Sequence, residues 1–261
     1  MENKLSKMVL VLEYDGTEYC GFQFQAIGNT VQAELEKALA KLTSESRRIV
    51  GASRTDSGVH AEGQVASFFT ASSLKLEAYV RGLNYYLPRD IAVKEVYKVN
   101  QGFSVQREAI SREYRYRIWN SDHRSPLHRQ FYFEAPGKLR EELMDEAAQM
   151  LVGEHDLASF VTEIKRSVVK STVKRVLRVQ VAREGALVVF DIEAKSFLPH
   201  QVRNTVGCLV RVGQGKLGKE QFRELLEARK PGLAGPTAPA RGLTLMKVNY
   251  PKPLGEYHED L

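Results

Sequence analysis

Apolar positions along the chain change their spacing many times, and each change marks an element. Met8 to Tyr14 is a nearly continuous apolar run stopped by Asp15-Gly16, which predicts a first buried strand. Val31, Leu35, Ala38/Leu39 and Leu42 then recur at helical spacing, and Asn29 followed by Gln32 resembles a capping box. Val65 to Phe69 predicts a short strand. Leu76, Tyr79/Val80, Leu83 and Leu87 stripe a second helix, with Ser72 or Ser73 as its cap and Pro88 as its stop. Ile91 to Val99 predicts a further strand.

The second half repeats this grammar. Tyr114 to Trp119 alternates as a strand. Leu139 to Val152 predicts a helix with Leu143, Ala147 and Met150/Leu151 on one face and Gly153 as its C-cap. Val176 to Val181 and Leu187 to Ala194 predict a hairpin around Glu184-Gly185. Val202, Val206 and Leu209/Val210 stripe one more helix, and Phe222, Leu225 and Leu226 another. Leu243 to Tyr250 is the closing strand.

Strands and helices thus alternate twice over, and several strand pairs are joined by turns too short for a crossover, which makes them antiparallel neighbours. The pattern predicts an α+β protein of two related halves, residues 1–105 and 106–250, with a polar tail at 251–261. No sequence repeat accompanies the repeated order of elements. A length of 261 residues, at about 150 residues per domain, suits one large domain or two small ones.

Composition excludes several classes. Hydrophobic residues at 43% and charged residues at 27% exclude a disordered or collagen-like chain. Cys20 and Cys208 are too few for a disulfide framework or a four-cysteine zinc site. Near the N-terminus only Met8 to Leu12 run uninterrupted as apolar residues, too short for a signal-peptide core, and no run approaches a membrane span. The expected compartment is a reducing cytoplasm.

Lys+Arg of 38 against Asp+Glu of 32 leaves 38 − 32 = +6, with a pI near 9.2. That excess favours a polyanionic partner without requiring one. It is concentrated in two places. Residues 165–178 hold Lys165, Arg166, Lys170, Lys174, Arg175 and Arg178 and no acid. Residues 107–129 hold Arg107, Arg112, Arg115, Arg117, Arg124 and Arg129, with Tyr114, Tyr116 and Trp119 interleaved and Tyr132 nearby. Arginine forks on phosphates and rings stacked on bases suit RNA with unpaired nucleotides. A solvated strand face over an aromatic core gives the same pattern.

The most informative stretch is Gly51-Ala52-Ser53-Arg54-Thr55-Asp56-Ser57-Gly58-Val59-His60. Arg54, two residues before Asp56, can keep that carboxylate ionised as a nucleophile or base. Asp-Ser-Gly is also a common turn. Gly213-Gln214-Gly215-Lys216-Leu217-Gly218 fits G-x-G-x-x-G but follows a predicted helix rather than a strand, so it reads as a helix terminus. A P-loop fails at Val210 and G-x-S-x-G fails at Thr55. The six histidines show no metal-ligand spacing, so no metal site is expected. Arg203 and Arg211 share a helix face opposite the valine stripe, where Arg203 can pair with a carboxylate or simply stay solvated.

Six spaced blocks, in order from about residue 8 to 251, together resemble the TruA-type pseudouridine synthase family. Residues 51–61 resemble its motif G-x-G-R-T-D-x-G-V-H-A. Tyr14-Asp15-Gly16 with Gly21, Phe22 and Gln23 resembles the opening strand block, and Ser111 to Tyr116 the basic Tyr-x-Tyr strand. Gly153-Glu154-His155-Asp156 with Phe160 resembles G-x-H-D-F. Phe197 to Asn204 with Val206-Gly207 resembles a helix start, F-L-x-H-x-V-R-N. Ala238 to Leu243 with Leu245 resembles the C-terminal strand. Departures are Ser53 for glycine, Phe22 for a frequent tryptophan, Gln201 for a frequent methionine and Leu157 for phenylalanine.

The resemblance implies two ferredoxin-like (RRM-like) halves whose antiparallel sheets join around a basic central cleft. It implies isomerisation of uridine to pseudouridine in the anticodon stem-loop of tRNA, at positions 38, 39 and 40, by a cytoplasmic homodimer with no cofactor and no metal. It assigns Asp56 as the catalytic aspartate and Tyr114 as the ring that stacks on the target base. Arg54 fills the place of the flipped nucleotide, Arg203 pairs with the catalytic carboxylate, and Leu245 joins the substrate-binding residues. The chemistry is coherent: a base must leave the stack, which costs a few kcal/mol that an aromatic platform and a filler group offset.

Overall fold

The computed structural model describes residues 5–162 and 171–258. Its elements, in chain order, are β1 (Ser6–Tyr14), α1 (Val31–Thr43), β2 (Val50–Gly51), β3 (His60–Thr70), α2 (Leu76–Tyr86) and β4 (Ile91–Val99). There follow β5 (Ser111–Trp119), β6 (Phe133–Glu134), α3 (Glu141–Ala148), β7 (Gly153–Asp156), β8 (Val173–Glu184) and β9 (Leu187–Ala194). The chain closes with α4 (Gln201–Gly213), α5 (Lys219–Ala228) and β10 (Leu243–Asn249). The class is mixed α+β, as the periodicity predicts. No helix among the described residues is long and apolar enough to cross a membrane.

By backbone packing the chain forms two units, one of Met1–Ile110 with Leu245–Leu261 and one of Ser111–Thr244. The closing strand, grouped above with the second half, therefore contributes most of its length to the first unit.

In the first unit the strand order is β4-β1-β3-β10, with β2 on β3. β1 pairs antiparallel with both β3 and β4, so it is an interior strand, and it buries Met8, Val9, Leu10 and Leu12. β3 is much longer than the apolar core Val65–Phe69 predicts, because small and polar residues such as Gln64 are buried at its start. α1 buries Val31, Leu35, Ala38 and Leu39. Its cap is Thr30 rather than Asn29: the extended Thr30 stands directly before Val31, and its hydroxyl accepts from the Ala33 N–H at 3.3 Å. Gln32 makes no capping box. It is buried, accepts from the Phe24 N–H at 2.8 Å and donates to Glu36 at 2.7 Å. α2 starts without a side-chain cap, so Ser72 and Ser73 do not serve it.

In the second unit the order is β5-β9-β8-β7, with the short β6 parallel to β5. The pleat sorts β5 cleanly. Tyr114, Tyr116 and Ile118 are buried opposite Ile192, Phe190 and Val188 of β9. Glu113, Arg115 and Arg117 occupy the other face. A bulge between Val176 and Arg178 shifts the burial phase of β8, so that Val176, Val179 and Val181 all face inward. The helix expected over Leu139 to Val152 is shorter. α3 ends at Ala148 in a 3-10 turn, Gln149–Leu151, and buries Met144 rather than Leu143. Gly153, with φ +114°, opens β7 instead of capping the helix.

Candidate active site

The Asp56 loop is held along its whole length by the first unit. At its start the Ala52 N–H donates to the Val65 carbonyl at 2.7 Å. Gln64, fully buried, brackets the next residue: its amide donates to the Ser53 carbonyl at 2.8 Å and accepts from the Ser53 N–H at 3.2 Å. Thr55 is buried, its hydroxyl 2.8 Å from the Tyr14 hydroxyl and its carbonyl accepting from the Phe22 N–H at 3.2 Å. Beyond the carboxylate, the Asp56 carbonyl accepts from the Val59 N–H at 3.1 Å. The Tyr19 carbonyl accepts from both the Gly58 N–H and the Ser57 hydroxyl, each at 3.2 Å.

Residues 14–22 therefore act as a cradle, and their composition follows from that task. Gly21 has φ +85°, and a β-carbon there would stand 2.5 Å from the Thr55 carbonyl oxygen. Gly51 lies under the Phe22 ring, where a β-carbon would meet it at 2.3 Å. Tyr19 is tied in turn by its hydroxyl, which donates to Asp90 at 2.6 Å; burial first, and that bond second, push its acidity well beyond the usual phenol range. The buried His60 accepts the Gly16 N–H at Nδ1, at 3.1 Å, with Asp15 Oδ1 also 3.1 Å from that nitrogen. Within this frame Asp56 is half-buried and Arg54 exposed, flanking the buried Thr55. Leu245, on β10, is fully buried in the same unit.

In the second unit Tyr114 is 6% exposed, its ring centroid 5.0 Å from that of Phe197 and the two rings nearly perpendicular. Arg203, on the first turn of α4, donates from Nε to the Ala238 carbonyl at 2.9 Å, while the Ala238 N–H returns a bond to the Arg203 carbonyl at 3.1 Å. The same lacing recurs along α4. Asn204 accepts from the Thr237 hydroxyl at 2.6 Å, Cys208 Sγ donates to the Ala234 carbonyl at 2.7 Å, and a β-carbon on Gly207 would lie 2.1 Å from the Pro236 carbonyl oxygen. The segment 234–239 is thereby fixed on the helix. The buried Tyr116 hydroxyl donates to the Pro239 carbonyl at 2.7 Å. Burial pushes its pKa well above the usual phenol range, against a smaller downward pull from the nearby Arg203 and Arg241. Arg203, Arg241 and Tyr116 thus form one electrostatic group.

The two arginine-rich stretches fare differently. On β5 Tyr114 and Tyr116 lie on the face opposite Arg115 and Arg117, and Arg115 holds Asp191 with both ends of its fork, at 2.8 and 2.9 Å. Arg178 lies 3.6 Å from Glu113 and 3.8 Å from Glu193. Trp119 and Tyr132 stack on each other at 5.3 Å rather than standing open for bases. Of the 165–178 stretch, Lys165, Arg166 and Lys170 lie outside the described residues, while Arg175 is exposed on β8. Sequence reasoning missed the Gln64 bracket and the Tyr14–Thr55 pair, because a single glutamine or tyrosine inside a strand carries no pattern of its own.

The clamped turn sets a carboxylate and an arginine on either side of the buried Thr55, on an antiparallel α+β frame. Comparison with known proteins gives that arrangement a family. A family model described as tRNA pseudouridine synthase matches residues 10–106 and 147–251. A protein of Geotalea daltonii, named tRNA pseudouridine synthase A, is 44% identical over 241 residues, covering 92% of this chain and 98% of its own. A protein of the same name from Aliivibrio fischeri is 42% identical over 245 residues, covering 94% and 93%. The chain belongs to the tRNA pseudouridine synthase family.

Proposed function

We propose that this protein isomerises uridine to pseudouridine in tRNA, in the anticodon stem-loop at positions 38, 39 and 40, with Asp56 as its catalytic carboxylate. The carrying observation is the clamped 52–59 loop, which fixes the backbone on both sides of Asp56 while the residue stays half-buried. Relatives of more than 40% identity over nearly the whole chain support the substrate.

The reaction detaches the base from C1′, turns it and rejoins it through C5 in place of N1. No electrons enter or leave, and one ionised carboxylate serves as nucleophile or base. The target first leaves the stack. In this reading Tyr114 stacks on the everted uracil, Arg54 takes the vacated place, Arg203 is the cation for the catalytic carboxylate, and Leu245 adds apolar contact to the substrate side. The working form is a homodimer in the cytoplasm, with tRNA as its macromolecular partner and no cofactor.

The test is tritium release from C5-labelled uridine in tRNA. Wild type releases tritium; Asp56→Asn releases none while its tRNA affinity stays within a few fold. Near-normal turnover by Asp56→Asn would remove Asp56 from the chemistry. Free uracil and an abasic RNA would identify a glycosylase instead, and binding without tritium release an RNA chaperone.

A further inference from the structure

We infer that Tyr14 is a positioning residue for Asp56, acting through the hydroxyl pair it makes with Thr55. The inference deepens the reading of Asp56 as the catalytic carboxylate and rests on it.

Tyr14 is the last residue of β1, an interior strand of its sheet, and pairs with Ile91 on one side and Ala61 on the other. Its backbone is therefore fixed by two neighbouring strands. Its ring, 3% exposed, lies 6.3 Å from that of Phe22, and Phe22 in turn sits over Gly51 and binds the Thr55 carbonyl through its N–H. A phenylalanine would fill the same apolar space. The added hydroxyl is costly to bury without a partner. It lies 2.8 Å from Thr55 Oγ1, the side chain immediately before Asp56, across 41 residues of chain.

The pair completes a hold at three places along residues 55–58. Thr55 is fixed by its side chain through Tyr14 and by its carbonyl through Phe22, and the residues after Asp56 are fixed through Tyr19. The backbone that carries Asp56 is thereby held on both sides of it. A displacement of about 1 Å in a reacting group costs on the order of a hundredfold in rate. Loosening one hold therefore shows in turnover before it shows in binding.

The experiment uses full-length protein and full-length tRNA, comparing wild type with Tyr14→Phe, Thr55→Val, Thr55→Ser and the Tyr14→Phe/Thr55→Val double variant. The readouts are kcat at saturating tRNA, tRNA affinity in a binding assay, and thermal melting. Tyr14→Phe and Thr55→Val each lower kcat about tenfold or more with tRNA affinity held within about twofold. The double variant is no slower than the slower single, as expected of one shared contact, and Thr55→Ser, which keeps the hydroxyl, recovers most of the rate. The inference is overturned if melting falls while kcat stays within twofold of wild type, if kcat and tRNA affinity fall together, or if the two single losses multiply in the double variant. A wild-type protein that makes no pseudouridine would instead refute the underlying function.

Discussion

The backbone of Gly21 rests against that of Thr55, with only 2.5 Å between the Thr55 carbonyl oxygen and the place a β-carbon on Gly21 would occupy. Gly21 also needs its positive φ of +85° to bring the chain into that contact. Gly21→Ala meets both obstacles at once. It should destabilise the protein by more than about 1 kcal/mol, as an alanine forced to positive φ does. The loop must also shift, so pseudouridine formation should fall further than melting does. Melting curves and tritium release on one preparation check this; unchanged values in both would show that the cradle is not tight.

Tyr114 is almost wholly buried, its ring nearly perpendicular to that of Phe197. A T-shaped contact of this kind fixes the plane of the ring. Tyr114→Leu removes the aromatic face and should impair turnover strongly, by one to two orders of magnitude if a stacked base contributes about 1–3 kcal/mol. Tyr114→Phe keeps the face and should stay close to wild type. Equal losses in the two variants would point to the hydroxyl instead of the ring.

How far the sequence discloses this molecule depends on the range of the interactions. Local periodicity places β1, β4, β9 and the helix α4 nearly residue for residue, since burial of one face is the signal being read. It misplaces the cap of α1 by one residue, because Asn29 and Thr30 are both good caps and tertiary packing draws Gln32 inward. It overextends α3, where a 3-10 turn and Gly153 divert the chain into an edge strand. The Asp56 loop is visible as a motif, but its hold is not. Gln64 and Tyr14 reach it from other strands, and such contacts leave no periodic trace.

Cys208 offers a pH-dependent prediction. Burial pushes its thiol up to about 12, against a smaller opposing pull from Arg211, and its Sγ donates to the Ala234 carbonyl. The folded state keeps this proton at pH values where the unfolded chain, near the ordinary value of 9.0, has lost it. Unfolding then releases a proton, so this group's contribution to stability is intact below about pH 9 and declines as pH rises from there toward 12. Cys208→Ala should flatten that alkaline decline in a series of melts. At pH 8 a thiol reagent should leave Cys208 unmodified in the native protein and label it after denaturation.

The arginines of β5 and β8 test which basic residues meet RNA. Arg115 is committed to Asp191 through two bonds on a partly exposed face, so Arg115→Ala should cost about 1 kcal/mol of stability and leave tRNA affinity nearly unchanged. Arg175 stands exposed on β8, on the stretch whose positive charge is uninterrupted by acids. If it meets a phosphate, Arg175→Ala weakens tRNA binding for every tRNA sequence and lowers the slope of log affinity against log salt by about one. Binding titrations from about 50 to 200 mM salt separate the two arginines. An unchanged slope for Arg175→Ala, or a reduced one for Arg115→Ala, would reverse this division of the basic surface.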